Sequence, residues 1–121
     1  MSQDEKRRSD RVIPVISEEE AVLVGTGAGK PSLAKLIDFS EVGTLVYLLV
    51  KPDQDLPVGA PCTLTMYDNG HVFTVASRVV RRTGNLIGFE FAEIAPESLH
   101  YLQSKLIRME VEWLRLSKPA G

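Results

Sequence analysis

Apolar and polar positions alternate with a period of two over most of this chain, and only near the C-terminus does the period lengthen. The β-branched run Val12–Ile16, broken by Pro14, reads as an extended entry, and Glu18–Glu20 as a solvated approach to the first strand, AVLVG at 21–25. GTGAGKPS then marks a turn, and LAKLIDF at 33–39 predicts the second arm of a hairpin, with Leu33, Lys35, Ile37 and Phe39 on one face and Ala34, Leu36 and Asp38 on the other. TLVYLLV at 44–50 reads as a strand buried on both faces. The turn-rich KPDQDLPVGAP leads to CTLTMY at 62–67. Asp68-Asn69-Gly70 is a strong tight-hairpin signal, because Asn-Gly tolerates positive φ; HVFTVASRVVRR at 71–82 follows it. After Thr83-Gly84-Asn85, LIGFEFAEI at 86–94 points Ile87, Phe89 and Phe91 one way, with Gly88 marking a close approach or a bulge.

From Pro96 the period becomes helical. Pro96 and Glu97 suit a helix N-terminus, and Leu99, Leu102, Leu106, Met109, Trp113 and Leu116 recur at three and four residues. The stripe predicts a helix of about five turns capping the sheet. Ile107, Val111 and Leu114 widen it beyond one contact, which leaves monomer and homodimer both open. Six short strands about ten residues apart, then one helix, predict an all-β antiparallel barrel or sandwich with a C-terminal α-helix.

Length agrees with a single domain: 121 residues, 44% hydrophobic and 25% charged. The reading is an arm at 1–11, a barrel-plus-helix body at 12–116 and a tail at 117–121. No stretch of about 20 apolar residues and no leader pattern is seen, and Cys62 is the sole cysteine, so the expectation is a cytoplasmic protein without disulfide, metal or membrane contact. Net charge is −2, but Lys6, Arg7, Arg8 and Arg11 oppose Asp10 alone within six residues, whereas the chain beyond Arg11 holds ten basic and thirteen acidic residues. An acidic body argues against duplex DNA or RNA and leaves a small anion as the better partner for the arm.

Two constellations carry chemistry. In Arg7-Arg8-Ser9-Asp10-Arg11, guanidinium forks suit phosphate oxygens or a guanine edge, and their flat faces can stack on a purine. In Asp38-Phe39-Ser40-Glu41-Val42-Gly43, Asp38 can accept both N–H donors of a guanine, Ser40 offers a hydroxyl, and Gly43 permits a turn closed to other residues. Each alone also fits a plain structural role, a solvated tail and an Asx-Ser-Gly turn.

Together, in this order on a β-rich frame, RxxxR at Arg7–Arg11 and DxSxxG at Asp38–Gly43 resemble the PilZ domain family, which binds the bacterial second messenger cyclic di-GMP. The resemblance extends over about residues 6–108 and includes IGFEF with Gly88 and Phe91. It implies a six-stranded antiparallel PilZ-like β-barrel capped by one α-helix. It further implies a cyclic di-GMP site at Arg7, Arg8, Arg11, Asp38, Ser40 and Gly43, and an unidentified effector protein reached when ligand orders the arm. Val42 departs from the pattern, standing where many members carry a second glycine.

Other chemistries find less support. GTGAGKPS lacks the first glycine of a phosphate-binding loop, which is Val24, and has Pro31 where Ser or Thr is needed. No serine or Cys62 has a histidine at suggestive spacing, so no catalytic residues and no cofactor are assigned, and the chain is read as a non-enzyme. Arg78, Arg81 and Arg82 are either surface charges or a second wall of the nucleotide site. Two alternatives are a PilZ-fold interaction adaptor without nucleotide and a small-barrel binder of single-stranded nucleic acid.

Overall fold

The computed structural model describes residues 16–27, 29–52 and 55–117. Six strands follow a single 3₁₀ turn at Glu18–Glu20: β1 (Ala21–Gly25), β2 (Ser32–Phe39), β3 (Gly43–Leu48), β4 (Pro61–Asp68), β5 (His71–Thr83) and β6 (Leu86–Glu93). All pairings are antiparallel, in the order β1-β2-β3-β6-β5-β4, and β1 pairs with β4 to close the barrel. One helix, α1 (Pro96–Ser117), ends the fold. This is the six-stranded antiparallel barrel with a C-terminal helix that the spacing and the resemblance predict.

Closure explains the residue pattern. A barrel of six strands has one interior, filled by Val22, Val24, Ala34, Leu36, Val46, Leu64, Met66, Val75, Val79, Ile87 and Phe89. The expected two-faced burial of the third strand is therefore corrected: Thr44, Val46 and Leu48 point inward, whereas Tyr47 is exposed. Tight hairpins follow their sequence signals, and Asn69 takes φ 51° beside Gly70 at 85°. Leu56, in the turn-rich connection, is fully buried and joins the core.

Three register shifts break the alternation; one, at Ala92 in β6, lies between the Ala76–Glu93 and Ser77–Phe91 pairs, and the other two shape the outer surface. Between β2 and β3, Leu36 pairs with Val46 but Asp38 with Leu45, so Ile37 is inserted. Phe39 thereby turns inward with Ala34 and Leu36, and Ile37 and Asp38 both face out, which corrects the strict alternation read from the sequence. Between β5 and β6, Val79 pairs with Phe89 but Arg81 with Gly88, so Val80 is inserted and Arg81 faces out.

The helix closes the barrel end where β1 begins and the β2–β3 and β4–β5 turns lie. Its buried face is narrower than the apolar stripe suggests. Ser98, Leu102 and Lys105 are buried, with Tyr101, Leu106 and Met109 packed beside them, while Leu99, Trp113 and Leu116 are exposed. The packed face, from Ser98 to Met109, spans about three turns, roughly 17 Å.

Lys105 sits at the centre of that contact with none of its side chain exposed. Its Nζ donates to the carbonyls of Glu19 and Tyr67, each at 2.7 Å, and meets Glu19 Oε1 at 3.4 Å. One turn on, Arg108 bonds the buried Asp68 and reaches Glu19 Oε1 at 2.6 Å, and Glu19 Oε2 accepts the Asn69 amide at 2.7 Å. Glu19 is thus an anchor rather than a solvated approach. Burial tends to raise its carboxyl, but the Arg108 and Asn69 hydrogen bonds and the two cations outweigh this and hold it below the ordinary value. Burial lowers the Lys105 ammonium despite Glu19, and the hydrogen bonds that Arg108 donates to Asp68 and Glu19 raise its guanidinium.

Candidate functional site

The bulge-directed residues meet on the outside of the barrel. Asp38 pairs with Leu45, Leu45 with Gly88 and Gly88 with Arg81, so a single row crosses four adjacent strands. Three inter-strand spacings set Asp38 and Arg81 roughly 14 Å apart at the backbone. Between them lies a depression of about 400 Å³ lined by Asp38, Ser40, Gly43, Thr44, Leu45, Val80, Arg81 and Gly88. Gly88 forms its floor: an added Cβ would meet Arg81 Cβ at 3.5 Å, so the guanidinium stem lies over the bare backbone.

The carboxylate wall is held by its own loop. Asp38 Oδ1 accepts the Phe39 amide at 2.8 Å, the Asp38 carbonyl accepts the Thr44 hydroxyl at 2.6 Å, and the residue is exposed. Ser40 Oγ accepts the amides of Val42 and Gly43 and donates to the Gly43 carbonyl, all at 3.2 Å. That carbonyl also receives the Ser40 amide at 2.9 Å. The hydroxyl is therefore engaged in bracing the turn.

Gly43 is needed for a reason other than the one its place in a turn suggests. Its φ is not positive. A Cβ there would lie 2.2 Å from the Phe89 carbonyl oxygen, so the residue must be glycine for β3 to approach β6. Val42, 67% exposed, and Glu41 turn away from the depression and line a groove of about 510 Å³ against Leu99, Gln103 and Ile107 of α1.

Asp38, Ser40 and Gly43 thus come together, while Arg7, Arg8 and Arg11 lie outside the described residues. Of the three later arginines, Arg81 alone lines the depression. Arg78 pairs with Glu90 at 2.5 Å, and Arg82 with Asp55 at 3.5 Å and the Gly84 carbonyl at 3.1 Å. Arg81 could have been singled out from Val80-Arg81, two consecutive residues that break the inward rhythm of Phe73, Val75, Ser77 and Val79. Phe39, Phe73 and Phe89 are buried, so those rings offer no platform for bases.

The crystal structure of a PilZ domain of CeSA from a cellulose-synthesizing bacterium superposes with a TM-score of 0.61 at 14% identity, over 74% of this chain and 91% of that one. The crystal structure of the Legionella protein Lpg0364 gives 0.49 at 17% identity, over 82% and 95%. No curated protein matches in sequence. The PilZ domain family matches residues 5–108, from the basic arm through the packed half of α1. That span takes in the closed barrel, the Asp38–Gly43 turn and the depression beside it, and the chain belongs to the PilZ domain family.

Proposed function

We propose that the protein is a receptor for cyclic di-GMP, with the nucleotide in the depression between Asp38 and Arg81. The observation that carries this reading is the four-strand row: an outward carboxylate at one end, a guanidinium at the other, and Leu45 and Gly88 between them. A carboxylate accepts the paired N–H donors of a guanine edge, and a guanidinium answers phosphate or stacks on a purine. Gly88 lets the Arg81 stem lie close against the strand, and Ser40 braces the turn that follows Asp38.

Arg7, Arg8 and Arg11 supply the remaining cations, so the ligand joins arm to barrel and stabilises the closed arrangement by mass action. The closed arm changes the surface offered to an effector. Four to six charge-assisted hydrogen bonds give on the order of 6 to 18 kcal/mol gross, and ordering about six arm residues removes most of it at roughly 1 to 2 kcal/mol each. Micromolar affinity, about 8 kcal/mol, therefore draws on stacking or apolar burial as well.

Isothermal calorimetry with cyclic di-GMP, and GTP as control, tests the reading. Binding is expected for the wild type and is expected to vanish in Arg7→Ala, Arg11→Ala and Asp38→Ala with the barrel intact by circular dichroism. Wild-type protein that yields no heat with cyclic di-GMP defeats the proposal and leaves an interaction module of the same fold.

A further inference from the structure

A third concavity, of about 490 Å³, lies between the segment entering β1, the bulge of β2 and the far half of α1. Ile37, Met109, Trp113 and Leu116 make its apolar walls, and Ser17 stands in its lining. Ile37 is 49% exposed, Trp113 69% and Leu116 76%, so much apolar surface is uncovered there.

Its occupant follows from where the chain leads. The described chain begins at Ile16, next to Ser17 in the groove wall, and the residues directly before it are Val12, Ile13, Pro14 and Val15. Because β1 runs antiparallel to β2 with Ala21 opposite Lys35, going back from Ala21 means advancing along β2 towards Ile37 and Asp38. Four extended residues reach about 13 Å, and the helix rises about 10 Å from Met109 to Leu116, so segment and groove match in length. Pro14 favours the extended form that such a groove accepts.

We propose that this groove is the seat of Val12–Val15 of the same chain, and that seating them delivers Arg11 to the Asp38 end of the depression. The β2 bulge makes the delivery possible, because it turns consecutive residues outward, Ile37 into the groove and Asp38 into the depression. The apolar contact supplies the ordering of the arm that a few hydrogen bonds to ligand do not. The role given to Arg11 rests on the cyclic di-GMP reading, whereas the seat itself does not.

Trp113 is the only tryptophan in the chain and reports on the seat directly. Tryptophan emission and acrylamide quenching are compared between wild type and the triple variant Val12→Ser, Ile13→Ser, Val15→Ser, without ligand. With the segment seated, wild-type emission is bluer and its quenching at least about twofold weaker, because the indole is shielded from water. Ile37→Ser, a change in the opposite wall, should reproduce the loss of shielding with the circular dichroism spectrum unchanged. Both variants should also bind cyclic di-GMP about tenfold more weakly at unchanged stoichiometry, since the competent arm is less populated. Equal emission and quenching in wild type and triple variant overturn the proposal. Shielding that grows with protein concentration and survives the triple substitution also overturns it, in favour of a second copy in the groove. Shielding lost in the triple variant, in a wild type that shows no heat with cyclic di-GMP, upholds the seat and removes the ligand reading instead.

Discussion

Two glycines in adjoining strands, Gly43 and Gly88, should respond oppositely to the same added methyl group. At Gly43 an alanine Cβ would sit 2.2 Å from the Phe89 carbonyl oxygen and 3.3 Å from Glu90 Cα, both backbone atoms that cannot swing aside. Relief requires β3 and β6 to part by about 1 Å, an overpacking cost of roughly 1 to 3 kcal/mol. Parting also strains the 2.9 Å bond from the Phe91 amide to the Val42 carbonyl and the Ser40–Gly43 turn. Losing one or two such bonds adds roughly 0.5 to 1.5 kcal/mol each, so Gly43→Ala should cost about 2 to 4 kcal/mol in a urea titration. At Gly88 the Cβ finds the Arg81 Cβ at 3.5 Å, an ordinary contact, and Gly88→Ala should cost under about 1 kcal/mol while raising the floor of the depression. Calorimetry should then show Gly88→Ala weakening cyclic di-GMP by about tenfold or more in a fully folded protein. A Gly43→Ala protein as stable as wild type would refute the close-approach argument, and Gly88→Ala with unchanged affinity would refute the floor.

Further expectations concern the cluster that ties α1 to the barrel and the core. Lys105→Met leaves the Glu19 and Tyr67 carbonyls without their donor and should cost about 2 to 4 kcal/mol by urea unfolding; a change below about 0.5 kcal/mol would contradict the role given to the ammonium. Glu19 has its folded value below the ordinary 4.5, so the unfolded chain takes up the proton first as pH falls. The stability it contributes is present above about 4.5 and is lost as pH drops through the lowered value; Glu19→Gln should flatten that part of a stability-against-pH profile. Cys62 is buried and its thiol is raised by burial, so Ellman's reagent should modify it only after denaturant is added, and rapid reaction in buffer would contradict this.

The strand count, the hairpins and the helix were readable because each rests on local chemistry: Asn69-Gly70 can adopt its turn unaided, and Pro96 with Glu97 can open a helix. What escaped the sequence was set by neighbours distant along the chain. The bulge at Ile37 exchanges the faces of Asp38 and Phe39, and the hint was a charged residue on the core face of an otherwise apolar strand. Lys105 reads as a break in an apolar stripe, yet its partners Glu19 and Tyr67 lie 86 and 38 residues away. Val80-Arg81 carried the second bulge in plain view, as two outward residues where alternation asks for one. Gly43 was singled out by its motif, but the Phe89 carbonyl that excludes a side chain comes from a strand that only the closed pairing brings near.

The barrel closes on itself, and each of its six strands is flanked by two others. Among the described residues no strand is left without a neighbour on either side, which narrows the foothold that aggregation and peptide recruitment usually use. A protein partner of such a barrel would be met by side chains rather than by strand addition. Relatives can then exchange downstream partners by surface substitution while the scaffold beneath stays the same.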